Sequence, residues 1–406
     1  MNSATYAYHP NSALVNSITF KQNGSTRMTT AKSYDFINRL TQISSTPASG
    51  PAISYAYGYN SANQRTNVVL ADSSSWRYSY DSLGQVTSGK KYWSDATVVA
   101  GQQFEYGFDD IGNRELAKTG GDSTGSNLRT STYTANALNQ YDQRTVYGGL
   151  NVLGAATNTA TVTVNGQSVD RKGEYCRGEV AVDNSAAPVY QAITNLALLS
   201  QGTNLPIGTN ITGNLFLPKT PEVFANDDDG NLTSDGRWAY KWDGENRLIG
   251  MTAHTNVPSG ARLKLDFAYD YKGRRIRKER STWTGAEYET EAMIKFIYDG
   301  WNLVVELDDA DDIVHSYVWG SDLSGRSQGA GGVGGLLTLT ASTNDIHFVA
   351  FDGRGNVVGL IAGLSGAQSA AFEYGPFGET VSHSGSQRCP FRFSTKYFDE
   401  ETALSY

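Results

Sequence analysis

The chain has 406 residues, more than one compact domain usually holds, and its 39% hydrophobic residues are enough to bury a core. The formal net charge of −8 argues against nucleic-acid binding, because that function normally requires a basic surface. The 24 Tyr and 7 Trp favour strands over helices, since aromatic side chains fit a pleated sheet.

The beginning of the chain lacks the basic and apolar segments of a signal peptide, and no stretch approaches the roughly 18 apolar residues of a membrane span. Cys176 and Cys389 form neither a disulfide framework nor a CxxC metal motif. One long-range bridge and two separate thiols both remain open. Strand-like pattern runs to both ends of the chain, which suggests a fragment of a longer protein.

A six-residue pattern recurs: an aromatic residue, Asp or Asn, two variable positions, Gly or Asn, and a polar residue. Full matches begin at Tyr34, Tyr59, Tyr80, Phe108, Trp242, Tyr269 and Phe351, and near matches at Ala135, Asn226 and Tyr298. The first three matches lie 25 and 21 residues apart (59 − 34 and 80 − 59), which leaves room for two strands per repeat.

Each motif predicts a β-hairpin. Apolar and polar residues alternate before it, as in Trp238, Tyr240 and Trp242, so the aromatic side chains share one sheet face. The Asp accepts hydrogen bonds from the following backbone, and Gly or Asn supplies the positive φ of the loop. The turn residues predicted in this way are Tyr34, Asp35, Tyr80, Asp81, Gly84, Phe108, Asp109, Gly112, Trp242, Asp243, Tyr269, Asp270, Gly273, Phe351, Asp352 and Gly355.

These motifs resemble the YD repeats of bacterial RHS proteins. A further signature resembles the start of the RHS-repeat-associated core domain; its residues are Tyr374, Pro376, Phe377, Gly378 and Glu379. The resemblance covers about residues 1–140 and 226–406. It implies an all-β hairpin array whose curved sheet spirals into a hollow cage around a toxic effector. In the family the core continues to Asp-Pro motifs where some members cleave themselves; this chain stops earlier, so self-cleavage is not expected here.

The chain therefore divides into YD repeats at 1–140 and 226–370, an inserted region at 141–225, and the start of a core domain at 371–406. The insertion lacks the repeat but alternates around Asn165-Gly166, a dipeptide typical of hairpin turns. A small sandwich-like β domain and an irregular continuation of the same sheet are both open for it.

Several motifs imitate chemical sites. Gly329–Gly334 matches GxGxxG, but a strand-like segment follows where a nucleotide fold needs a helix. Gly121–Gly125 matches GxSxG within a polar loop, which favours a simple turn. Asn226–Asn231 lacks both key ligands of a calcium loop and is better explained as a degenerate YD turn. Asp308–Asp312 is predicted to be a hairpin tip, and the basic run 272–280 a solvated strand face.

The sequence predicts a non-enzymatic shell or scaffold that encapsulates or presents a C-terminal effector absent from this chain. We expect no catalytic residue, metal or cofactor, no nucleic-acid partner and no membrane span. Possible further partners are secretion-apparatus or cell-surface components, and the full-length protein is expected to be secreted or at the cell surface. Two alternatives are an all-β enzyme with paired carboxylates and a carbohydrate-binding adhesin; the aromatic candidates for the latter are Trp76, Tyr78, Trp238 and Trp319.

Overall fold

The structure, a computed structural model, describes residues 2–202, 204–343 and 345–406. The first strands are β1 (Asn2–Tyr8), β2 (Val15–Gln22), β3 (Ser25–Tyr34), β4 (Leu40–Pro47), β5 (Ile53–Tyr59), β6 (Arg65–Leu70), β7 (Ser75–Tyr80), β8 (Val86–Tyr92), β9 (Val98–Phe108), β10 (Arg114–Gly120), β11 (Leu128–Ala135) and β12 (Tyr141–Arg144). Then come β13 (Gly149–Ala155), β14 (Thr161–Val164), β15 (Gln167–Ser168), β16 (Asp170–Lys172), β17 (Tyr175–Ala181), β18 (Val189–Gln201), β19 (Asn204–Leu217) and β20 (Glu222–Val223).

The remaining strands are β21 (Ala225–Asn226), β22 (Leu232–Ser234), β23 (Trp238–Trp242), β24 (Leu248–Ala253), β25 (Leu263–Tyr269), β26 (Arg275–Trp283), β27 (Tyr288–Asp299), β28 (Asn302–Leu307), β29 (Ile313–Trp319), β30 (Leu336–Ala341), β31 (Ile346–Phe351), β32 (Val357–Ala362), β33 (Gln368–Tyr374), β34 (Thr380–Gly385), β35 (Phe398–Asp399) and β36 (Leu404–Ser405). Two short 3-10 turns lie at Ser259–Ala261 and Phe393–Thr395, and the described residues contain no α-helix. The all-β prediction is confirmed.

One compact unit comprises residues 1–79, 92–96 and 294–406. Within it β1 to β7 pair in chain order, and so do β28 to β34, because each strand turns back on its predecessor through a short loop. Phe20 and Met28 from the early strands pack with Phe348 and Ile361 from the late ones in one apolar cluster. A second cluster around Leu336, a residue of β30, is covered by the segment after β34.

The other unit comprises residues 80–91 and 97–293. Its strands β8 to β12 pair in chain order, followed by β20, and β21 to β26 form a second consecutive series. Trp238, Met251 and Leu265 alternate inward from successive strands of that second series and form its apolar core. The period-two pattern of the sequence therefore corresponds to buried sheet faces.

The region 141–225 contains two small sheets of its own, with orders β13-β17-β16 and β15-β14-β18-β19. Leu150 from one sheet and Val164, Ile193 and Leu217 from the other share one apolar cluster, so the sheets pack face to face. The predicted turn at Asn165-Gly166 joins β14 to β15, and both residues have positive φ. Where the domain boundaries fall stays a prediction.

The basic run is only partly a solvated face. In β26 Arg275 and Lys278 are buried, whereas Arg277 between them is exposed. The register of β26 against β25 shifts between Arg275 and Arg277, and this bulge turns two cationic side chains to the same side. The Arg275 guanidinium lies 5.3 Å from the centre of the Phe267 ring, which favours its burial. Simple alternation was the wrong expectation here.

No helix among the described residues is long and apolar enough to cross a membrane.

Candidate functional site: the aromatic-aspartate turns

The predicted motif residues form one repeated turn, seen clearly at Asp35. Its Oδ1 accepts hydrogen bonds from the backbone N–H groups of Ile37 (3.1 Å) and Arg39 (2.9 Å). Its carbonyl oxygen accepts from the N–H of Asn38, and its own N–H donates to the carbonyl of Arg39. Its Oδ2 pairs with the Arg39 Nε at 2.6 Å. The carboxylate and the backbone of Asp35 together thereby satisfy the polar groups of the five-residue loop.

The same two backbone bonds to a side-chain oxygen recur along the chain. They are made by Asp35, Asn60, Asp81, Asp109, Asn136, Asp227, Asp243, Asp270, Asp308 and Asp352. In most of these turns the fifth motif position has the positive φ that closes the loop, supplied by Gly or Asn: Asn38, Asn63, Gly84, Gly112, Asn139, Gly230, Asn246, Gly273 and Gly355. The degenerate turn at Asn226–Asn231 and the acidic hairpin tip at Asp308–Asp312 belong to this set.

The near match at Tyr298 does not form the five-residue turn. There Asp299 pairs directly with Asn302, so Gly300-Trp301 is a two-residue hairpin loop rather than the five-residue turn. Gly300 has a φ of +60°, which a loop of that length requires. The sequence pattern failed here because Asn302 occupies the position where Gly or Asn ends the longer loop, one residue after Trp301.

In several motifs the aromatic residue anchors its hairpin to the preceding one. The Tyr59 hydroxyl donates to the carbonyl of Leu40, the first residue after the previous motif, at 2.7 Å. Tyr269 makes the same bond to Leu248 at 2.8 Å. The further donors and acceptors of this kind are Trp242 to Leu232, Trp319 to Leu303 and Tyr374 to Val357. A polar tip on a largely apolar ring explains why Tyr and Trp recur at this position.

The sixth motif residue reaches the following turn. The Arg39 NH1 donates to the Asn63 Oδ1 at 2.9 Å, and the Arg39 guanidinium lies 4.8 Å from the centre of the Tyr59 ring. Asn113 bonds Asn139 in the same way. Neighbouring turns are therefore linked edge to edge by motif side chains. The recurrence of the motif carried this signal, because consecutive hairpins that end in the same kind of turn bring equivalent motif residues side by side.

The Pro-Phe-Gly-Glu signature is a variant of the same turn. Gly375 occupies the Asp position, and its N–H and carbonyl make the same loop bonds, to Glu379 and Gly378. The missing carboxylate is replaced by that of Glu379, whose Oε2 accepts from the Phe377 N–H at 3.0 Å. Gly378 has a φ of +93° and lies so close to Phe393 that an added Cβ would be 2.9 Å from the ring. The geometry explains why Gly stands there.

The segment after β34 lies against this turn and its neighbours. Arg392, which is 6% exposed, donates through Nε to the Cys389 carbonyl at 2.6 Å and stacks 4.1 Å from the centre of the Phe372 ring. The Thr395 hydroxyl donates to the Gly355 carbonyl at 2.6 Å, and the Ser394 N–H donates to the Asn356 Oδ1. Side chains and backbone of this segment thus cover the apolar face of β28 to β33.

The glycine-rich loop binds an anion from its own chain. The Asp322 Oδ2 accepts from the N–H groups of Ala330 (2.6 Å) and Gly332 (3.2 Å), and its Oδ1 accepts from Ser324. These backbone groups are the kind that would hold a phosphate in a nucleotide site. Because an internal carboxylate already occupies them, the GxGxxG match has a structural explanation.

The GxSxG match is a turn as well. Asp122 Oδ1 accepts from the Thr124 hydroxyl and from the N–H groups of Thr124 and Ser126. These hydrogen bonds, led by the Thr124 hydroxyl, lower the pKa of Asp122 to about 2. The central Ser123 lies on an exposed loop rather than on a strand-to-helix elbow.

Two histidine contacts were not predictable from spacing. His315 Nδ1 lies 3.1 Å from a carboxylate oxygen of the buried Glu306, which also accepts from the Tyr317 hydroxyl at 2.8 Å. His347 Nδ1 lies 2.8 Å from the Ser369 hydroxyl, and burial lowers the pKa of this imidazole. The first joins paired residues of neighbouring strands, and the second spans the strand β32 that lies between β31 and β33. Within the described part of the chain, no three His, Cys, Asp or Glu side chains come together as a metal site.

The four aromatic candidates for carbohydrate stacking are engaged in packing. Trp76 and Trp238 are 3% and 4% exposed, and Trp76 Nε1 donates to Glu373 at 2.8 Å. Tyr78 stacks on Trp76, and Trp319 contacts Phe391 edge to face. Exposed apolar residues lie at turn tips such as Ile111, which is 72% exposed, and along β19.

Comparison with known proteins finds a match to the family model described as RHS Repeat at residues 59–97. A tRNA3(Ser)-specific nuclease WapA from Bacillus spizizenii is 29% identical over 190 residues, which is 46% of this chain and 7% of that protein. The tRNA nuclease WapA of Bacillus subtilis is 26% identical over the same shares. The chain thus spans about 7% of the length of these relatives.

Among solved structures, a crystal structure of TcdB2-TccC3-Cdc42 is 14% identical with a TM-score of 0.41, covering 100% of this chain and 19% of that one. A Photorhabdus luminescens Tc holotoxin pore is 14% identical with a TM-score of 0.37, covering 96% and 19%.

We predict that Gly273→Val lowers the free energy of unfolding by about 1–3 kcal/mol, because a β-branched residue is strained at its φ of +79°. An added Cβ at Gly273 would have no atom within 4 Å, so the loss would come from the backbone rather than from a clash. Urea denaturation followed by circular dichroism measures it. Gly273→Asn should lower the free energy of unfolding by less, since Asn246 adopts this conformation in a neighbouring turn.

Gly244→Ala is the matched control for that series, because it lies in the same kind of turn with open space and without positive φ. It should leave stability unchanged or slightly raised. Equal losses at Gly273 and Gly244 would contradict the role of positive φ.

We predict that Tyr269→Phe destabilises the protein by about 1 kcal/mol, because the carbonyl of Leu248 loses its donor while the ring remains. Tyr271→Phe, two residues away at 86% exposure, is the control and should have little effect. Chemical denaturation of both variants provides the comparison, and an indistinguishable pair would refute the anchoring role of the hydroxyl.

The turn carboxylates predict acid sensitivity. The backbone N–H of Arg247, followed by its side chain, lowers the pKa of Asp243, and the pKa of Asp122 falls from 3.8 to about 2. A lowered folded pKa contributes stability above the unfolded pKa and loses it as pH falls through the folded value. The urea midpoint should therefore decline as pH drops from about 4 to about 2.

Asp243→Asn should make that decline shallower while preserving the loop, because Asn60 accepts the same backbone bonds. The exposed Asp228→Asn serves as control. A midpoint that is flat across this pH range in the unmodified chain would be incompatible with the assigned turn bonds.

Proposed function

We propose that this chain, which matches the RHS Repeat family model at residues 59–97, is a non-enzymatic segment of a protein shell that encapsulates or presents an effector domain lying outside the chain. The observation that carries this proposal is the use of the motif residues. In the complete repeats an Asp or Asn side chain closes its own loop, as Asp35 does. In several of them the aromatic residue also bonds the preceding hairpin, as Tyr59 does, or the sixth residue reaches the next turn, as Arg39 does. These motif residues thus hold hairpins together, as expected of a wall.

The physical properties of such an array fit a curved wall. Antiparallel strands twist with a fixed hand, so a long series of consecutive hairpins coils rather than staying flat. Chain-order pairing from β1 to β7 and from β28 to β34 supplies such series. We propose that in the longer protein these series form part of the spiralling ribbon of a hollow cage.

The effector is proposed to be a separate part of the longer protein. The relatives are named tRNA nucleases, and the matched stretch of 190 residues is about 7% of their length. We infer that a toxic activity of this kind lies outside the repeats, with the repeats as its carrier. A carrier of that kind acts at the cell surface or after secretion, with secretion or surface components as further partners.

An appended reporter tests the carrier role. An unstructured, protease-sensitive peptide is fused after Tyr406, and the same peptide is inserted in a second variant at the exposed β26–β27 turn beside Gly285. If the chain shields a segment attached to its C-terminus, the peptide after Tyr406 should be cleaved at least about tenfold more slowly than the peptide at the turn. Equal cleavage rates would contradict shielding by this segment.

The non-enzymatic part is tested separately with the unfused chain. Incubated with total tRNA and Mg²⁺, it should leave the tRNA intact. Cleavage that accompanies the protein through purification and is lost in a Glu306→Gln or His315→Ala variant would overturn the proposal, since those side chains form a buried acid–histidine pair.

A further inference from the structure

The inserted sandwich contains a cavity of about 460 Å³. This volume lies within the range of about 300–1,000 Å³ that is typical of small-molecule sites. Its walls come from both small sheets: Val152 and Gly154 of β13, Val162 of β14, Cys176 of β17 and the inner face of the β18–β19 hairpin. The cavity belongs to no repeat motif.

The cavity lies between the two small sheets. Strand β14 has only four residues and pairs edge to edge with residues 195–198 of the 13-residue β18, and β18 pairs with β19 along its other edge. On β19 the lining residues Ile207 and Ile211 stand opposite Leu199 and Asn195, and they are 60% and 63% exposed. The cavity is therefore open to solvent along β19.

The chemistry of the walls selects against charge. The polar side chains in the lining are those of Thr157, Thr209, Cys176 and Asn195, and the rest is aliphatic or small. A charged ligand would lose its hydration here without gaining an ionic partner, so an apolar and neutral molecule is favoured.

Asn195 supplies the one specific polar feature. It lies in the middle of β18, on the face that also carries the buried Ile193. Its Oδ1 is buried, and among the described residues it has no hydrogen-bond partner. Buried acceptors are almost always satisfied, so an unpaired oxygen lining a cavity indicates a donor that the protein itself does not provide.

We propose that this cavity binds a neutral, mainly apolar small molecule carrying a single hydroxyl or N–H group that donates to Asn195 Oδ1. The volume admits on the order of fifteen heavy atoms at most, at the ~30 Å³ that one water-sized group occupies. A two-ring aromatic alcohol or amine has this size and polarity.

Binding is measured by the fluorescence of 2-naphthylamine, an apolar two-ring probe whose amino group donates N–H, added to the full chain. Naphthol and naphthalene then compete with the probe; they differ only in the hydroxyl. In the unmodified chain both should displace it. In Asn195→Leu, the affinity for naphthol should fall about three- to tenfold relative to the affinity for naphthalene, because one hydrogen bond contributes about that much to binding.

Two variants separate the cavity from the exposed apolar surface. Ala197→Phe fills the cavity and should lower the affinity for the probe at least about tenfold. Leu205 lies on the same hairpin but is 89% exposed, so Leu205→Ser should leave the affinity unchanged. Unchanged binding in Ala197→Phe together with loss in Leu205→Ser would assign the probe to the surface and overturn the proposal.

Cys176 gives a readout in the unmodified chain, even where a variant does not fold. Burial raises the pKa of both thiols, but Cys176 is 8% exposed and lines the cavity, whereas Cys389 is 1% exposed with a pKa of about 12. Slow labelling of the native protein by a thiol reagent therefore reports Cys176. Saturating naphthol should slow this labelling several-fold. No protection, or a stable dimer in sedimentation that excludes the probe, would show that water or a second copy occupies the site instead.

Discussion

The structure depends on the Asp or Asn side-chain oxygen that closes most of the turns. A five-residue hairpin loop leaves several backbone N–H groups without strand partners, and one Asp oxygen accepts two of them. The bonds at Asp35 and Asp270 are equivalent although the residues lie far apart in the chain. Because the loop is fixed in this way, the strand before it and the strand after it begin in a defined register.

The fixed register gives the neighbouring motif residues their function. The aromatic residue precedes a bulge, as the register shift between Gly58 and Tyr59 shows, and its side chain therefore points back along the preceding hairpin. Its hydroxyl or indole N–H meets a backbone carbonyl at the start of the returning strand. A local turn is thus converted into a contact between repeats, and this contact makes a series of hairpins cohesive.

The closure of loops by their own Gly and Asp residues also explains why the sequence contains matches to nucleotide-binding and nucleophile motifs. Gly and Asp dominate wherever a tight loop must satisfy its own backbone, and the combination produces GxGxxG and GxSxG matches by composition. At Asp322 and Asp122 the anion and the donors that such motifs would offer to a ligand are already bound to each other. The inserted sandwich differs, since there Asn195 Oδ1 is left without a partner from the described chain.

The sequence by itself determined the all-β class, the position of most turns and the need for positive φ at residues such as Gly273, because these follow from local backbone chemistry. It did not determine the bond from Tyr269 to Leu248, the pairing of His315 with Glu306 or the two-residue loop at Gly300. Those depend on which strands become neighbours and in which register. Only the tertiary structure decided that register, and with it the cavity beside Asn195, since a space between two packed sheets has no signature in local pattern.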